Sequence, residues 1–237
     1  MSCLLVDEGN TLAKYALCDE TGAITTIDWP EIDFLSLTQI IFSSVKKPND
    51  SVINQLQAAV QNANHAHLSI KQVETPAKAF GLINAYQDYK RLGVDRWLAM
   101  LAVKNFTSRG FIVIDAGTAL TIDAVDRHGL HLGGWILPNV NLSAQSLIKR
   151  TDKIEIKQAA KPDINLGKVT ESCIYNGLYA SHICLIQSLV LSLSTDCQPE
   201  IWLTGGDSQI YKKLLAEVNI SSQVESDLVF YGLRQYI

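Results

Sequence analysis

Residues 4–18 read LLVDEGNTLAKYALC and residues 112–125 read IVIDAGTALTIDAV. Each is an apolar run ending in Asp-x-Gly, then a small hydroxylated turn, then a second apolar run. A single copy is ordinary turn chemistry, because Asp and Gly are common turn residues. Two copies with matching flanks, beginning about half a chain apart, predict two similar domains, each opening on a β-hairpin whose turn carries Asp, Gly and Thr. No Pro-, Gly- or Ser-rich linker separates them, so the boundary is drawn from the repeat, as 1–108 and 109–237.

Around the two copies, apolar β-favouring runs at 3–7, 67–73, 111–115, 120–125 and 200–204 alternate with stretches of helical period. That alternation is an α/β pattern. Helices are expected over 51–63, over 77–92 up to Gly93, from Asp95 onward, and from about Thr170 towards Leu193. The chain has 237 residues, 47% hydrophobic and 19% charged, with 20 Lys and Arg against 24 Asp and Glu. This is globular composition, with enough length for one large or two compact domains. A net charge of −4 gives no cationic footprint, so no nucleic-acid or anionic-membrane partner is expected and a small molecule is the default. No apolar run reads as a membrane span of roughly 18 residues, and MSCLLVDEGN has no basic leader, so a cytoplasmic protein is expected. Five cysteines form no CxxC pair and are read as reduced buried thiols, and the five histidines are given surface or turn roles.

Chemistry concentrates in a few short segments. In Asp7-Glu8-Gly9-Asn10-Thr11, Gly9 permits close backbone approach, while Asn10, Thr11 and turn amides can donate to phosphate oxygens. Lys14 adds a cationic donor, and Asp7 suits a hard cation such as Mg²⁺. Asp115-Ala116-Gly117-Thr118 repeats the logic without a lysine. Two such loops facing across a cleft would hold a triphosphate from both sides. Asp123 reads equally as a functional carboxylate and as an exposed or capping one.

Gly93-Val94-Asp95-Arg96-Trp97 lies between helical patterns. Asp95 reads as an N-cap on spacing, and also as a carboxylate at a helix start beside Arg96 where a substrate hydroxyl could donate its proton. Both readings stay open from the residues alone. Thr204-Gly205-Gly206-Asp207 is either a nucleotide-contacting turn or a capped strand-to-helix turn. Neither GxxxxGK[ST] nor GxGxxG occurs, which excludes P-loop and protein-kinase types.

Taken in order, DEGNTLAK, GVDRW, DAGTALTID, GGWILP, GKVTES and TGGD resemble the type III pantothenate kinases, of the acetate and sugar kinase, chaperone and actin superfamily. The resemblance implies two ribonuclease-H-like domains with a cleft between them, a homodimer, and ATP-dependent phosphorylation of pantothenate, the first step towards coenzyme A. It also implies ATP with a divalent cation, Mg²⁺, and a monovalent cation, K⁺ or NH₄⁺. By position, Asp7, Glu8, Gly9, Asn10, Thr11, Leu12, Ala13 and Lys14 resemble the ATP phosphate loop, with Thr118 a second ATP contact. Asp95 matches the proton acceptor, Tyr86, Gly93, Val94, Asp95, Arg96 and Thr170 match pantothenate positions, and Asp115 matches the monovalent-cation ligand. Four residues depart from the family pattern: Glu8 for an apolar residue, Leu12 for Arg, Asn139 for Gly and Val169 for Asn. Glu8, Leu12 and Val169 motivate one alternative, a non-catalytic nucleotide-binding relative acting through a protein partner; a second alternative is a kinase for another small hydroxylated acid or sugar.

Overall fold

The computed structural model describes residues 2–9, 11–46, 52–63, 68–151, 160–193 and 198–237. Two compact units account for them: residues 1–108, 129–131 and 227–237 form one, and 109–128 with 132–226 form the other.

In the first unit, β1 (Ser2–Glu8), β2 (Ala13–Cys18), β3 (Ile24–Ile27), β4 (Leu37–Ser44) and, beyond helix α1 (Ile53–Asn62), β5 (Ser69–Gln72) form one sheet in the order β3-β2-β1-β4-β5. β1 pairs antiparallel with β2 and parallel with β4. Leu4, Val6, Ile40 and Phe42 meet Leu56 and Val60 of α1 in one apolar core. Central strands buried on both faces lose the polar alternation of a half-exposed strand, hence the continuous buried run Cys3-Leu4-Leu5-Val6.

The helix expected over 77–92 does not form. β6 (Lys78–Ala79) and β7 (Leu82–Ile83) make a hairpin there, with Lys78 opposite Ile83 and Ala79 opposite Leu82. The two-residue turn is Phe80-Gly81, with φ of 48° and 77°, the double positive φ of the turn that matches strand twist. Phe80 tolerates that backbone while its ring packs edge-on against Tyr236, with centroids 5.0 Å apart. Helix α2 (Val94–Phe106) follows and is buried almost throughout.

The second unit repeats the plan. β8 (Phe111–Ala116), β9 (Ala119–Val125), β10 (His131–Pro138), β11 (Glu200–Thr204) and β12 (Gln223–Val224) lie in the order β10-β9-β8-β11-β12, the same order of first to fifth strand. Helices α3 (Val140–Lys149), α4 (Thr170–Leu193) and α5 (Ser208–Glu217) cover it, with Ile114, Ile122, Ile183 and Leu214 in the core. The last helix, α6 (Leu228–Arg234), belongs to the first unit, although the sequence division carried the second domain to 237. Its Gly232 sits so close to the Leu98 carbonyl that a Cβ would collide with it. Trp97 Nε1 donates to Tyr236 Oη at 3.0 Å and Lys71 Nζ to the Tyr236 carbonyl at 2.8 Å, anchoring the chain end.

By length and composition α4 is apolar enough to cross a membrane, contrary to the sequence reading. Its buried residues Tyr175, Tyr179, His182, Ile183, Ile186 and Val190 recur at helical spacing within the unit's core, the pattern of a core helix.

Candidate active site

The first repeat closes as a tight turn. Asp7 lies opposite Lys14 and Glu8 opposite Ala13, and Gly9 N–H donates to the Leu12 carbonyl at 3.1 Å. Thr11, Leu12 and Lys14 are exposed there, while Asn10 lies outside the described residues. Asp7, half-buried at the strand end, accepts the Ser43 hydroxyl at 3.4 Å from the neighbouring parallel strand. Glu8 points the other way, as strand alternation requires. It is 2% exposed, and its carboxylate accepts Ser44 Oγ at 2.6 Å and the backbone N–H of Val52, at the head of α1, at 2.7 Å. Lys46 Nζ stands 3.9 Å away. The Glu8 carboxylate beside this turn is therefore paired within the unit, and its side chain is engaged in the fold.

α2 begins one residue earlier than expected. Gly93 is its N-cap, at φ −53° and ψ 134°, and makes no side-chain cap. Asp95 is thus the second helical residue, and the reading of it as N-cap is corrected. Its Oδ1 accepts the N–H of Arg96 at 2.8 Å, one of the first-turn donors a helix leaves unsatisfied, and the helix N-terminus favours its ionised form. A Cβ on Gly93 would stand 2.5 Å from that Oδ1, so glycine keeps the carboxylate's space open. Arg96 is buried, and its Nη1 donates to Tyr86 Oη at 3.0 Å with the guanidinium 5.9 Å from the ring centroid. Tyr86, Gly93, Val94, Asp95 and Arg96 thus come together in one unit. A cavity of about 460 Å³ adjoins Gly93 and Val94, at the carboxyl ends of β4 and β5, lined also by Ser44, Lys46, Glu74, Thr75 and Arg91 among others, but not by Tyr86, Asp95 or Arg96. The carboxyl edge of parallel strands is where open α/β sheets hold ligands.

In the second unit, Asp115 ends β8 beside Gly117 and opposite Thr204. Its Oδ1 is 3.2 Å from where a Gly117 Cβ would stand. Gly205, at φ +85°, comes closer still: a Cβ there would collide with that carboxylate and the Ala116 backbone. Asp207 N–H donates to the Ala116 carbonyl at 3.0 Å, so Thr204-Gly205-Gly206-Asp207 is folded directly over the second loop. Asp207 is the N-cap of α5 without a side-chain cap bond. Thr118 is exposed in its turn and Thr170 is exposed at the first position of α4. Asn139 is extended, at φ −65° and ψ 167°, not left-handed. Its Oδ1 caps Leu142 N at 2.8 Å and its Nδ2 donates to the Gly117 carbonyl at 3.1 Å, so it ties α3 to the loop. Asp123 is 1% exposed in mid-strand, which removes the exposed-carboxylate reading.

Two histidines, expected at the surface or in turns, are buried. His131 is 1% exposed and its ring stacks on Tyr86, with centroids 6.2 Å apart and planes 13° apart. His182 is buried in α4 with Nδ1 2.7 Å from Tyr211 Oη, and burial holds its pKa below the usual imidazole value. Both contacts join residues far apart along the chain, Tyr86 with His131 and His182 with Tyr211, so a linear reading does not show them. Among the cysteines, Cys3 and Cys18 are buried as expected, Cys173 and Cys184 are exposed, and Cys197 lies outside the described residues, as do His65 and His67. Burial pushes the Cys3 thiol up to about 12.

Oxygen donors at Asp7 and Asp115 fit hard cations, and the glycines around Asp115 leave its carboxylate approachable. Among the described residues no three His, Cys, Asp or Glu side chains gather as a metal site, so a cation held here would take its remaining ligands from substrate oxygens and water.

Comparison with solved structures gives the same architecture. A candidate Baf-family transcriptional activator from Campylobacter jejuni is 22% identical, with a TM-score of 0.60 over 98% of this chain and 96% of that one. A candidate 2-dehydro-3-deoxygalactonokinase from Sinorhizobium meliloti is 12% identical, with a TM-score of 0.58 over 98% and 97%. At such identities the likeness shows the fold, two ribonuclease-H-like α/β domains. Sequence relatives reach further. A type III pantothenate kinase of Colwellia psychrerythraea is 30% identical over 98% of this chain and 99% of that protein, and one of Acinetobacter baumannii is 30% identical over 100% and 98%. The type III pantothenate kinase family model matches residues 3–192, which include both repeat loops and the Gly93–Trp97 segment. With that match over most of its length, the chain belongs to the type III pantothenate kinase family.

Proposed function

We propose that this protein transfers the γ-phosphoryl group of ATP to the terminal hydroxyl of pantothenate, giving 4'-phosphopantothenate. The observation that carries the proposal is Asp95, held in the first turn of α2 beside a buried Arg96 that is hydrogen-bonded to Tyr86, in a chain of this family. Phosphoryl transfer through a loose transition state asks little covalent chemistry of the protein. Orientation of the alcohol and neutralisation of phosphate charge do most of the work. Asp95 orients the hydroxyl and takes its proton. Arg96, Tyr86 and the backbone of Gly93 and Val94 bind the rest of pantothenate, Thr170 belongs to the same assignment by sequence, and Lys46, Lys90 and Arg91, which outnumber Glu74 at the cavity beside Gly93 and Val94, suit an acidic substrate.

The loop from Asp7 to Lys14 binds ATP phosphates through turn amides, Thr11 and Lys14, and Thr118 supplies a further contact. Asn10 belongs to the same assignment by sequence. Glu8 supports the loop from behind, so its contribution to ATP is through the backbone. A divalent cation, Mg²⁺, accompanies ATP and offsets charge on its phosphates. Asp115 holds a monovalent cation, K⁺ or NH₄⁺, which orders the turn after β8, against which Gly205 packs. Trp135, Ile136, Leu142, Leu147, Leu166 and Val169 of the second unit are apolar and exposed, which supports a homodimer through that unit. A cytoplasmic location follows from the substrates.

A coupled ADP-release assay with pantothenate, Mg²⁺ and either K⁺ or Na⁺ tests the reading. Turnover that needs pantothenate and K⁺ or NH₄⁺ supports it. ATP binding without turnover on pantothenate would favour a non-catalytic relative, and turnover on another hydroxy acid alone would reassign the substrate. Sedimentation of the protein as a monomer would remove the dimer.

A further inference from the structure

The Tyr86 ring is held on three sides. Its backbone N–H donates to Asn84 Oδ1 at 2.9 Å, a local turn that sets where the residue leaves the chain. Its hydroxyl accepts from Arg96 at 3.0 Å. Its ring makes an offset, nearly parallel stack with His131, with planes 13° and centroids 6.2 Å apart. Asn84 is itself tied down: its N–H donates to the Ala77 carbonyl at 2.9 Å and its Nδ2 to the Tyr89 carbonyl at 3.1 Å.

His131 reaches Tyr86 because the chain makes a detour. Residues 129–131 belong to the first unit although the strands on either side belong to the second. Gly129, at φ +83°, lies so close to the Gly81 carbonyl that any Cβ would collide with it, and its own carbonyl accepts Ile83 N–H at 2.8 Å. Leu130 bridges to Ile83 in parallel register. The segment is therefore seated along β7, with the His131 ring under Tyr86 and its Nδ1 3.5 Å from Ala85 N–H. A ring buried to this degree beneath a half-exposed tyrosine backs the face that a ligand would not touch.

We infer that His131 is a positioning residue for substrate: its ring fixes the plane of Tyr86, and through the Tyr86 hydroxyl the orientation of the Arg96 guanidinium beside Asp95. The inference rests on the substrate role proposed above for Tyr86 and Arg96. The ring contact, with planes 13° apart, is what sets the plane of Tyr86, while His131 Nδ1 stands 3.5 Å from the backbone nitrogen of Ala85.

The test compares His131→Phe, His131→Leu and His131→Gln by steady-state kinetics with each substrate varied, alongside thermal melting. An aromatic pair is lost in the leucine and glutamine variants, so the KM for pantothenate rises about 2- to 10-fold, with the KM for ATP and kcat within about twofold of the parent. Phenylalanine restores the pantothenate KM. Combining His131→Leu with Tyr86→Leu adds nothing further to the KM, since both remove one contact. A role confined to stability would lower the melting temperature and the active fraction while leaving both KM values in place, and that result overturns the inference. Restoration by glutamine but not phenylalanine also overturns it. Should His131→Leu fail to fold, the phenylalanine and glutamine pair still decides. The underlying reading fails separately: if Tyr86→Leu and Arg96→Lys leave the pantothenate KM unchanged, the substrate site lies elsewhere. If those two raise it and the His131 variants do not, only the positioning role is lost.

Discussion

Glu8→Ala separates a fold role from a nucleotide role in the loop proposed to bind ATP. The carboxylate accepts the Val52 N–H at 2.7 Å and Ser44 Oγ at 2.6 Å. Alanine leaves the Val52 donor buried without that acceptor, which costs about 1–3 kcal/mol. Ser44 loses a strong acceptor but still accepts Lys46 N–H at 3.1 Å, so its loss is about 1 kcal/mol. Relief of carboxylate desolvation offsets part of the sum. A net loss of about 2–3 kcal/mol remains, and at about 2–4 °C per kcal/mol for a chain of this size the melting temperature falls by roughly 5–10 °C. Circular dichroism melts and urea titrations of parent and variant give the stability, and ADP release with ATP varied gives the KM. The expected result is a large drop in stability with an ATP KM changed less than threefold. An unchanged melting temperature with a tenfold higher ATP KM would refute the reasoning and put the carboxylate on the nucleotide.

Asp95→Asn is expected to lower kcat by about 10²- to 10⁴-fold with the fold intact, because Gly93, not Asp95, is the N-cap; full turnover would remove Asp95 from the mechanism. Gly205→Ala forces an L residue to φ +85° and drives a methyl into Asp115 and Ala116, at a cost of about 1–3 kcal/mol or more, whereas Gly206→Ala, with nothing within 4 Å of its Cβ, serves as the mild control. Equal melting temperatures for the two variants would contradict that geometry. Stability should also depend on pH through His182. Burial lowers its folded pKa, so below about pH 6.5 the unfolded chain takes up a proton that the native state resists. Its contribution is therefore fully present above about pH 6.5 and is lost as pH falls, with a slope of up to about 1.4 kcal/mol per unit. Urea midpoints between pH 7.5 and 5 should fall more steeply for the parent than for His182→Gln, and parallel curves would refute the assignment.

The repeat at 4–18 and 112–125 determined by itself that two similar α/β units stand in this chain. Strand-end Asp-x-Gly turns and apolar runs are local chemistry, legible from neighbours in sequence. The same locality made GVDRW readable as a helix start carrying Asp95 and Arg96, though the cap moved to Gly93. It failed over 77–92, where apolar spacing suggested a helix. Positive φ at Phe80 and Gly81 turns that segment into a hairpin, an outcome propensity does not register because the Tyr236 ring that packs on Phe80 lies 156 residues on. Only the tertiary structure decided that Glu8 serves α1, that Asn139 ties α3 to Gly117, that α6 completes the first unit, and that His131 lies under Tyr86. In each case the partner is distant along the chain, and the interaction depends on burial and on how strands and helices bring backbone groups together, quantities that a linear string of side chains does not carry.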